Sequence, residues 1–161
     1  MTKLNSYLSL IRFYNPIGFW LLLWPGLWGL FLSDNFNIEN FTIVVLGSFL
    51  TRSLGCAIND FLDRDFDKSV ERTKNRPIAS KELSLSEAGI FIILLASVCI
   101  FLLMQTNPYT IKLVSYVAIP MIILYPLMKR FLAMPQLFLG ATFGLSLPIS
   151  YSIAESTLSL E

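Results

Sequence analysis

The sequence contains no histidine, and charge is scarce. The first absence excludes a His-based zinc site and a His general base. Charged residues make up 14% of the chain, against about 25% in an ordinary soluble domain. The net charge of +1 leaves no broad basic face, which argues against a nucleic-acid partner. Cysteine occurs twice, as Cys56 and Cys99, both within apolar runs. They read as small buried hydrophobes, with neither a disulfide nor a metal signal. No aspartate follows Asp67. What the chain does have is apolar mass: 55% of its residues are hydrophobic, too many for a disordered polymer. The little charge present is also concentrated. Of 23 charged residues, 13 lie between Asn59 and Glu87, and the other 132 residues share ten. The pattern is that of a membrane protein with one polar segment.

Uncharged runs mark the spans. Phe13 to Ser33 is a run of 21, Ala88 to Ile111 one of 24, Leu113 to Met128 one of 16, and Phe131 to Ala154 one of 24. A spanning helix needs about 20 apolar residues. Helices are therefore expected near 16–32, 89–106, 110–128 and 133–153, with a fifth near 40–58 that carries one charge, Arg52. The predicted fold class is an all-α, polytopic transmembrane bundle of about five helices. Pro25, Pro120, Pro126 and Pro148 fall inside or at the ends of these runs, which membrane helices tolerate. Trp20, Trp24 and Trp28 are spaced by four and form one stripe, read as lipid-facing or interfacial. Lys and Arg cluster in alternate connections: Lys3 and Arg12, then Arg64 to Lys81, then Lys129 and Arg130. The positive-inside rule puts these in the cytoplasm and the carboxyl end outside. No signal-peptide pattern opens the chain, and residues 1–161 are expected to form a single membrane domain with a cytoplasmic polar segment at 59–87.

That polar segment carries the chemistry. On a helix at about 100° per residue, with Asn59 as zero, Asp60 falls at about 100°, Asp63 at about 40°, Asp67 at about 80° and Arg52 at about 20°. These share a face, while Asp65, at about 240°, points away. Carboxylates gathered this way repel one another unless a cation sits among them, and a hard divalent ion with oxygen ligands suits them. Mg²⁺ keeps some water and bridges phosphate oxygens, so the acidic helix end could hold a diphosphate. The basic run Arg72-Thr73-Lys74-Asn75-Arg76-Pro77 follows, and arginine forks bind phosphate. A solvated loop that merely sets topology would explain the basic residues. It would not explain the phased carboxylates, nor an ionised Arg52 within a span.

Asn59-Asp60-x-x-Asp63-x-x-x-Asp67 followed by Arg72-Thr-x-x-Arg76-Pro77 resembles the first aspartate-rich motif of the UbiA-type intramembrane prenyltransferases. Arg12-Phe-Tyr-Asn-Pro16-Ile-Gly18, Leu-Leu-Leu-Trp24-Pro25-Gly-Leu-Trp28 and Tyr125-Pro-Leu-Met-Lys129-Arg130 with Pro135-Gln136 resemble its bacterial branch that prenylates 4-hydroxybenzoate. The resemblance covers nearly the whole chain. It implies an all-helical enzyme of the bacterial inner membrane that transfers a polyprenyl chain from polyprenyl diphosphate to 4-hydroxybenzoate, in ubiquinone synthesis. It implies Mg²⁺, with Asp63 and Asp67 as metal carboxylates and Asp60 and Asn59 supporting them at the metal. Arg72 would contact the diphosphate with Arg76 nearby, and Lys129, spaced four from Tyr125, would help draw the diphosphate off. Arg12 and Arg52 fall on the substrate side, near the acceptor carboxylate or the aspartate face. Metal and cations would stabilise charge on the leaving diphosphate, and an apolar cavity would keep water from the allylic cation.

The resemblance also implies a second half carrying D-x-x-x-D, and this chain has no aspartate after Asp67. The chain is therefore expected to be an amino-terminal part with little or no activity, poorly stable or self-associating by itself, whose partner is the missing carboxy-terminal half. Other acceptors (haem, homogentisate, naphthoate) remain open, as does a non-catalytic subunit retaining one metal motif. A small ion transporter is disfavoured, because the last three spans contain no acidic residue inside them.

Overall fold

A computed structural model describes residues 2–131, 134–156 and 158, with side chains for all of these except Pro126, Leu127, Lys129 and Arg130. Among the described residues the regular secondary structure is all helical, with no strand. In chain order the helices are α1 (Lys3–Leu10), α2 (Ile17–Phe31), α3 (Ile38–Leu62), α4 (Arg64–Asp67), α5 (Leu85–Leu103), α6 (Pro108–Leu113), α7 (Ile119–Phe131), α8 (Pro135–Gly144) and α9 (Ser146–Glu155). One turn of π-helix, Val114–Ala118, joins α6 to α7. Four stretches are long and apolar enough to cross a membrane: Ile38–Leu62, Leu85–Leu103, Pro108–Tyr125 and Pro135–Glu155. The helix α2 is apolar but shorter, at 15 residues. That is about 22 Å of helix, against a hydrocarbon core of about 30 Å. Many apolar side chains of these helices face outward. Ile90, Ile93, Leu94 and Phe101 of α5 are exposed, as are Trp20, Trp24 and Trp28 along α2.

Local chemistry sets the boundaries. The side chain of Asn37 accepts from the Asn40 N–H at 2.8 Å and opens α3. Ser84 and Glu87 form a capping box that opens α5. The Ser84 N–H donates to Glu87 at 2.8 Å, and the Glu87 N–H donates to the Ser84 hydroxyl at 3.2 Å. Asn107 accepts from the Thr110 N–H at 2.9 Å with Pro108 in the first turn of α6.

Prolines account for two departures from the expected spans. Pro120 has no N–H for the Tyr116 carbonyl, and its ring would strike it. The chain widens there into the π turn, so the expected helix at 110–128 is not one uniform helix. Pro148 leaves the Gly144 carbonyl without its helical donor. The expected helix at 133–153 (its first residue lies outside the described ones) ends at Gly144, and α9 restarts with Pro148 in its first turn. The helix α1 was not expected from the sequence.

The chain divides into two compact units, Met1–Gly18 with Leu50–Cys99, and Phe19–Phe49 with Ile100–Glu161. In the first, Leu10, Ala57, Ile78, Leu83 and Ala88 form a buried cluster, with Tyr7 and Phe91 packed at its side, ring centroids 4.9 Å apart. Lys3 pairs with Glu87 at 2.5 Å, and the Ser6 hydroxyl donates to Glu82 at 2.7 Å. These contacts fasten α1 over the start of α5. In the second unit, Leu23, Leu30 and Val44 are buried together. There α2 approaches α9 so closely that a Cβ on Gly29 would overlap the Leu147 carbonyl oxygen and the Ser150 hydroxyl. Polar groups in this unit find protein partners, as a bilayer demands. Thr110 and Ser152 share a hydrogen bond of 2.8 Å, and the Asn107 amide donates to the Ser152 carbonyl at 2.6 Å. Glu155 accepts from the N–H groups of Asp34 and Asn35 at 2.9 and 3.1 Å.

Candidate functional site

All the aspartates of the motif lie in the first unit. The last turns of α3 carry Arg52, Asn59 and Asp60, on a stretch whose buried residues besides Asp60 are small: Ser53, Cys56 and Ala57. Small side chains let neighbouring segments come close. Arg52 lies directly over Gly18, where a Cβ would overlap its Nε.

The helix does not continue from Arg52 to Asp67 as the phasing assumed. It stops at Leu62, and Asp63 sits at φ −90° and ψ 4° before α4 begins. Two effects favour the break. Carboxylates at the C-terminal end of α3 meet the negative pole of its dipole, and aspartates compete with helical backbone hydrogen bonds. Starting a new turn of helix puts Asp65 near its amino end. Asp60 and Asp67 still converge, through an arginine instead of through helical phase.

Asp60 is buried, 1% exposed, and both of its oxygens are taken. Arg12 Nη2 donates to Oδ1 at 2.7 Å and to Oδ2 at 3.0 Å. Arg76 Nη1 lies 3.1 Å from the same Oδ1 and donates to Asp67 Oδ2 at 2.8 Å. Two guanidinium groups and two carboxylates thus form one chain, Arg12–Asp60–Arg76–Asp67. The loop that returns Arg76 is itself folded. The buried Thr73 hydroxyl donates to the Asp67 carbonyl at 3.1 Å, the Arg76 N–H donates to the Thr73 carbonyl at 2.9 Å, and Pro77, Ile78 and Ala79 are buried behind it. Arg12 takes φ 58°, a left-handed conformation at the turn after α1, with its Nη1 donating to the Ser9 carbonyl at 3.2 Å.

The remaining motif residues are more open. Arg72 is exposed, on the loop between α4 and Arg76. Asp63 and Asn59 are half-buried at the junction of α3 and α4. Asp65 points into solvent as its phase predicted, where Lys68 at 2.8 Å holds its carboxyl below the usual range by hydrogen bonding and charge. Tyr125 belongs to the second unit, half-buried on α7, and the Lys129 side chain lies outside the described ones. Among the described residues no group of three or more His, Cys, Asp or Glu stands close enough to hold a metal unaided. The donor set nonetheless suits a hard cation of the kind that completes its sphere with water and phosphate oxygens. Asp63 precedes α4 and Asp67 ends it, about one turn apart, while both oxygens of Asp60 already face a guanidinium. Gly18 and Thr73 escaped the sequence reading. The signals available were a glycine at the second position of an apolar helix and the threonine of the Arg-Thr-x-x-Arg run.

The sequence matches the model of the UbiA prenyltransferase family over residues 22–161. The chain belongs to the UbiA prenyltransferase family. Among curated UbiA relatives, the 4-hydroxybenzoate octaprenyltransferase of Polynucleobacter asymbioticus is 43% identical over 99% of this chain and 56% of its own length. Those of Polynucleobacter necessarius and Vibrio atlanticus are 46% and 42% identical, over 97% and 98% of this chain and 55% and 56% of theirs. The chain therefore spans about half the length of the curated relatives it matches. Among solved structures, a UbiA homolog from Archaeoglobus fulgidus bound to DMAPP and Mg²⁺ superimposes with a TM-score of 0.78 at 19% identity, over 96% of this chain and 56% of that one. A digeranylgeranylglyceryl phosphate synthase gives 0.76 at 25% identity, over 93% and 53%. With its apolar helices, this UbiA member is an integral membrane protein.

Proposed function

We propose that this chain supplies one pole of a site that transfers a polyprenyl chain from polyprenyl diphosphate to 4-hydroxybenzoate, the ring prenylation of ubiquinone synthesis. The observation that carries the reading is the likeness, over nearly all of the chain, to proteins named 4-hydroxybenzoate octaprenyltransferase. Asp63 and Asp67 hold Mg²⁺ with help from Asn59, and Arg72 faces the diphosphate with Arg76 nearby, bonded to Asp67. Bound there, Mg²⁺ would neutralise charge on the departing diphosphate. Arginine forks add directional donors for the same oxygens. By the resemblance Lys129, spaced four from Tyr125, helps draw the diphosphate off, and Arg52, an ionised group within a span, meets the carboxylate of the acceptor. The prenyl chain lies among apolar helices, where water is scarce and the allylic cation survives until the ring attacks it. The Lys and Arg distribution supports a bacterial inner-membrane orientation with the aspartate segment in the cytoplasm.

The diphosphate needs a second acidic pole, which the rest of a full-length relative would supply. Purified chain with Mg²⁺, polyprenyl diphosphate and 4-hydroxybenzoate should yield little or no prenylated product. Adding the carboxy-terminal half of a relative should restore turnover, and Asp67→Asn should abolish it again. Robust transfer by the 161-residue chain alone would overturn the two-pole reading. Product from homogentisate or a naphthoate but not from 4-hydroxybenzoate would reassign the acceptor.

A further inference from the structure

We propose that Asp60 is a positioning residue and not a metal ligand: clasped between Arg12 and Arg76, it sets the orientation in which Arg76 grips Asp67, and so presents Asp67 to the cation. The inference rests on the reading that Asp63 and Asp67 hold a divalent ion.

Three observations carry it. Both Asp60 oxygens already accept from guanidinium groups, at 2.7, 3.0 and 3.1 Å, and the carboxylate is 1% exposed. Each Asp60 oxygen faces a guanidinium, so a cation there would sit against two arginines, whereas the Arg76 bond to Asp67, itself 4% exposed, is to Oδ2. Secondly, one nitrogen, Arg76 Nη1, contacts both carboxylates, so the position of Asp60 is transmitted to Asp67 through one rigid planar group. Thirdly, Arg12 adopts a left-handed backbone conformation that a non-glycine residue keeps only where its surroundings over-determine it. The two bonds from its Nη2 to Asp60 are part of that determination. Asp60 therefore ties the turn after α1 to the aspartate segment and fixes one oxygen of Asp67, while the metal chemistry proceeds on Asp63 and Asp67.

Mn²⁺ serves as the probe. The 161-residue chain, labelled with carboxyl-¹³C aspartate, is titrated with Mn²⁺ in detergent in the presence of geranyl diphosphate. Electron paramagnetic resonance reads the affinity, and ¹³C hyperfine couplings count the bound aspartates. The expected result is couplings from two aspartates, one lost in Asp63→Asn and one in Asp67→Asn. Asp60→Asn keeps both couplings but weakens Mn²⁺ binding about tenfold, as loss of a group supporting a ligating carboxylate does. Arg76→Gln weakens it equally, and the Asp60→Asn/Arg76→Gln double variant is no worse than either. A third aspartate coupling, or the loss of one in Asp60→Asn, would make Asp60 a ligand and overturn the inference. So would unchanged affinity in Asp60→Asn. The coupling count in unsubstituted protein needs no variant, so it decides the question even if Asp60→Asn does not fold. An unsubstituted chain that binds no Mn²⁺ overturns the metal reading itself, and the inference falls with it.

Discussion

Removing the Asp60 carboxylate leaves Arg12 and Arg76 beside each other with Asp67 as their shared counter-charge. Asp60→Ala is expected to destabilise the chain by about 3 kcal/mol, the lower end for breaking a buried pair, because both guanidinium groups keep some solvent. The midpoint of unfolding in mixed SDS micelles measures it. Asp65 is the contrasting case. Its folded pKa is depressed by Lys68, so its contribution is present above the unfolded value of 3.8 and is lost as pH falls through the folded pKa. The stability difference between the chain and Asp65→Asn should be small, as for any exposed pair, and should shrink towards zero on acidification below that value. Gly18→Ala would push the Arg52 guanidinium aside. In a complete enzyme it should raise KM for the acceptor more than it lowers kcat, and the reverse split would count against Arg52 as the acceptor's partner. At this scale the sequence was legible in residue type. Which aspartate faces an arginine and which faces solvent followed helical phase for Asp65 but not for Asp60, because the pairing of Asp60 depends on two segments far away in sequence.

Helices α2 and α9 touch backbone to backbone at Gly29, and there a single methyl group has nowhere to go. Gly29→Ala should cost about 1–3 kcal/mol, since the obstacles include the Leu147 carbonyl as well as a movable Ser150 hydroxyl. Ser84→Ala removes one arm of the capping box and should cost about 1 kcal/mol, with fraying confined to the first turn of α5, visible as faster amide exchange there. The apolar helices themselves were legible, because lipid demands about 20 apolar residues and little else. Their interruptions were not. A proline announces a lost donor, yet whether the chain answers with a π turn, as before Pro120, or with a fresh helix, as before Pro148, depends on the neighbours that take up the freed carbonyls. The short α1 lacks a run of that length, and it is held by Lys3–Glu87 and Tyr7–Phe91, contacts no local pattern discloses.

For the molecule in its membrane, the orientation is open to direct measurement. With Cys56 and Cys99 replaced by serine, a cysteine introduced at Ser69 should react with an impermeant maleimide only from the cytoplasmic side, and one at Asn35 only from the opposite side. Inverted labelling would reverse the proposed topology. Composition alone determined that this chain lives in a bilayer, because apolar runs with few charges have no stable place in water. The spacing of Asn59, Asp60, Asp63, Asp67, Arg72 and Arg76 likewise sufficed to mark the candidate site, since carboxylates gathered at the end of an apolar helix repel one another without a cation among them. Only the tertiary structure decided how those charges are shared. Two arginines brought in from opposite sides of the sequence close around Asp60, and the loop anchored by Thr73 carries Arg76 back to Asp67. Charge pairing at under 4 Å is a property of distance in space, which the order of residues along a chain constrains but does not specify.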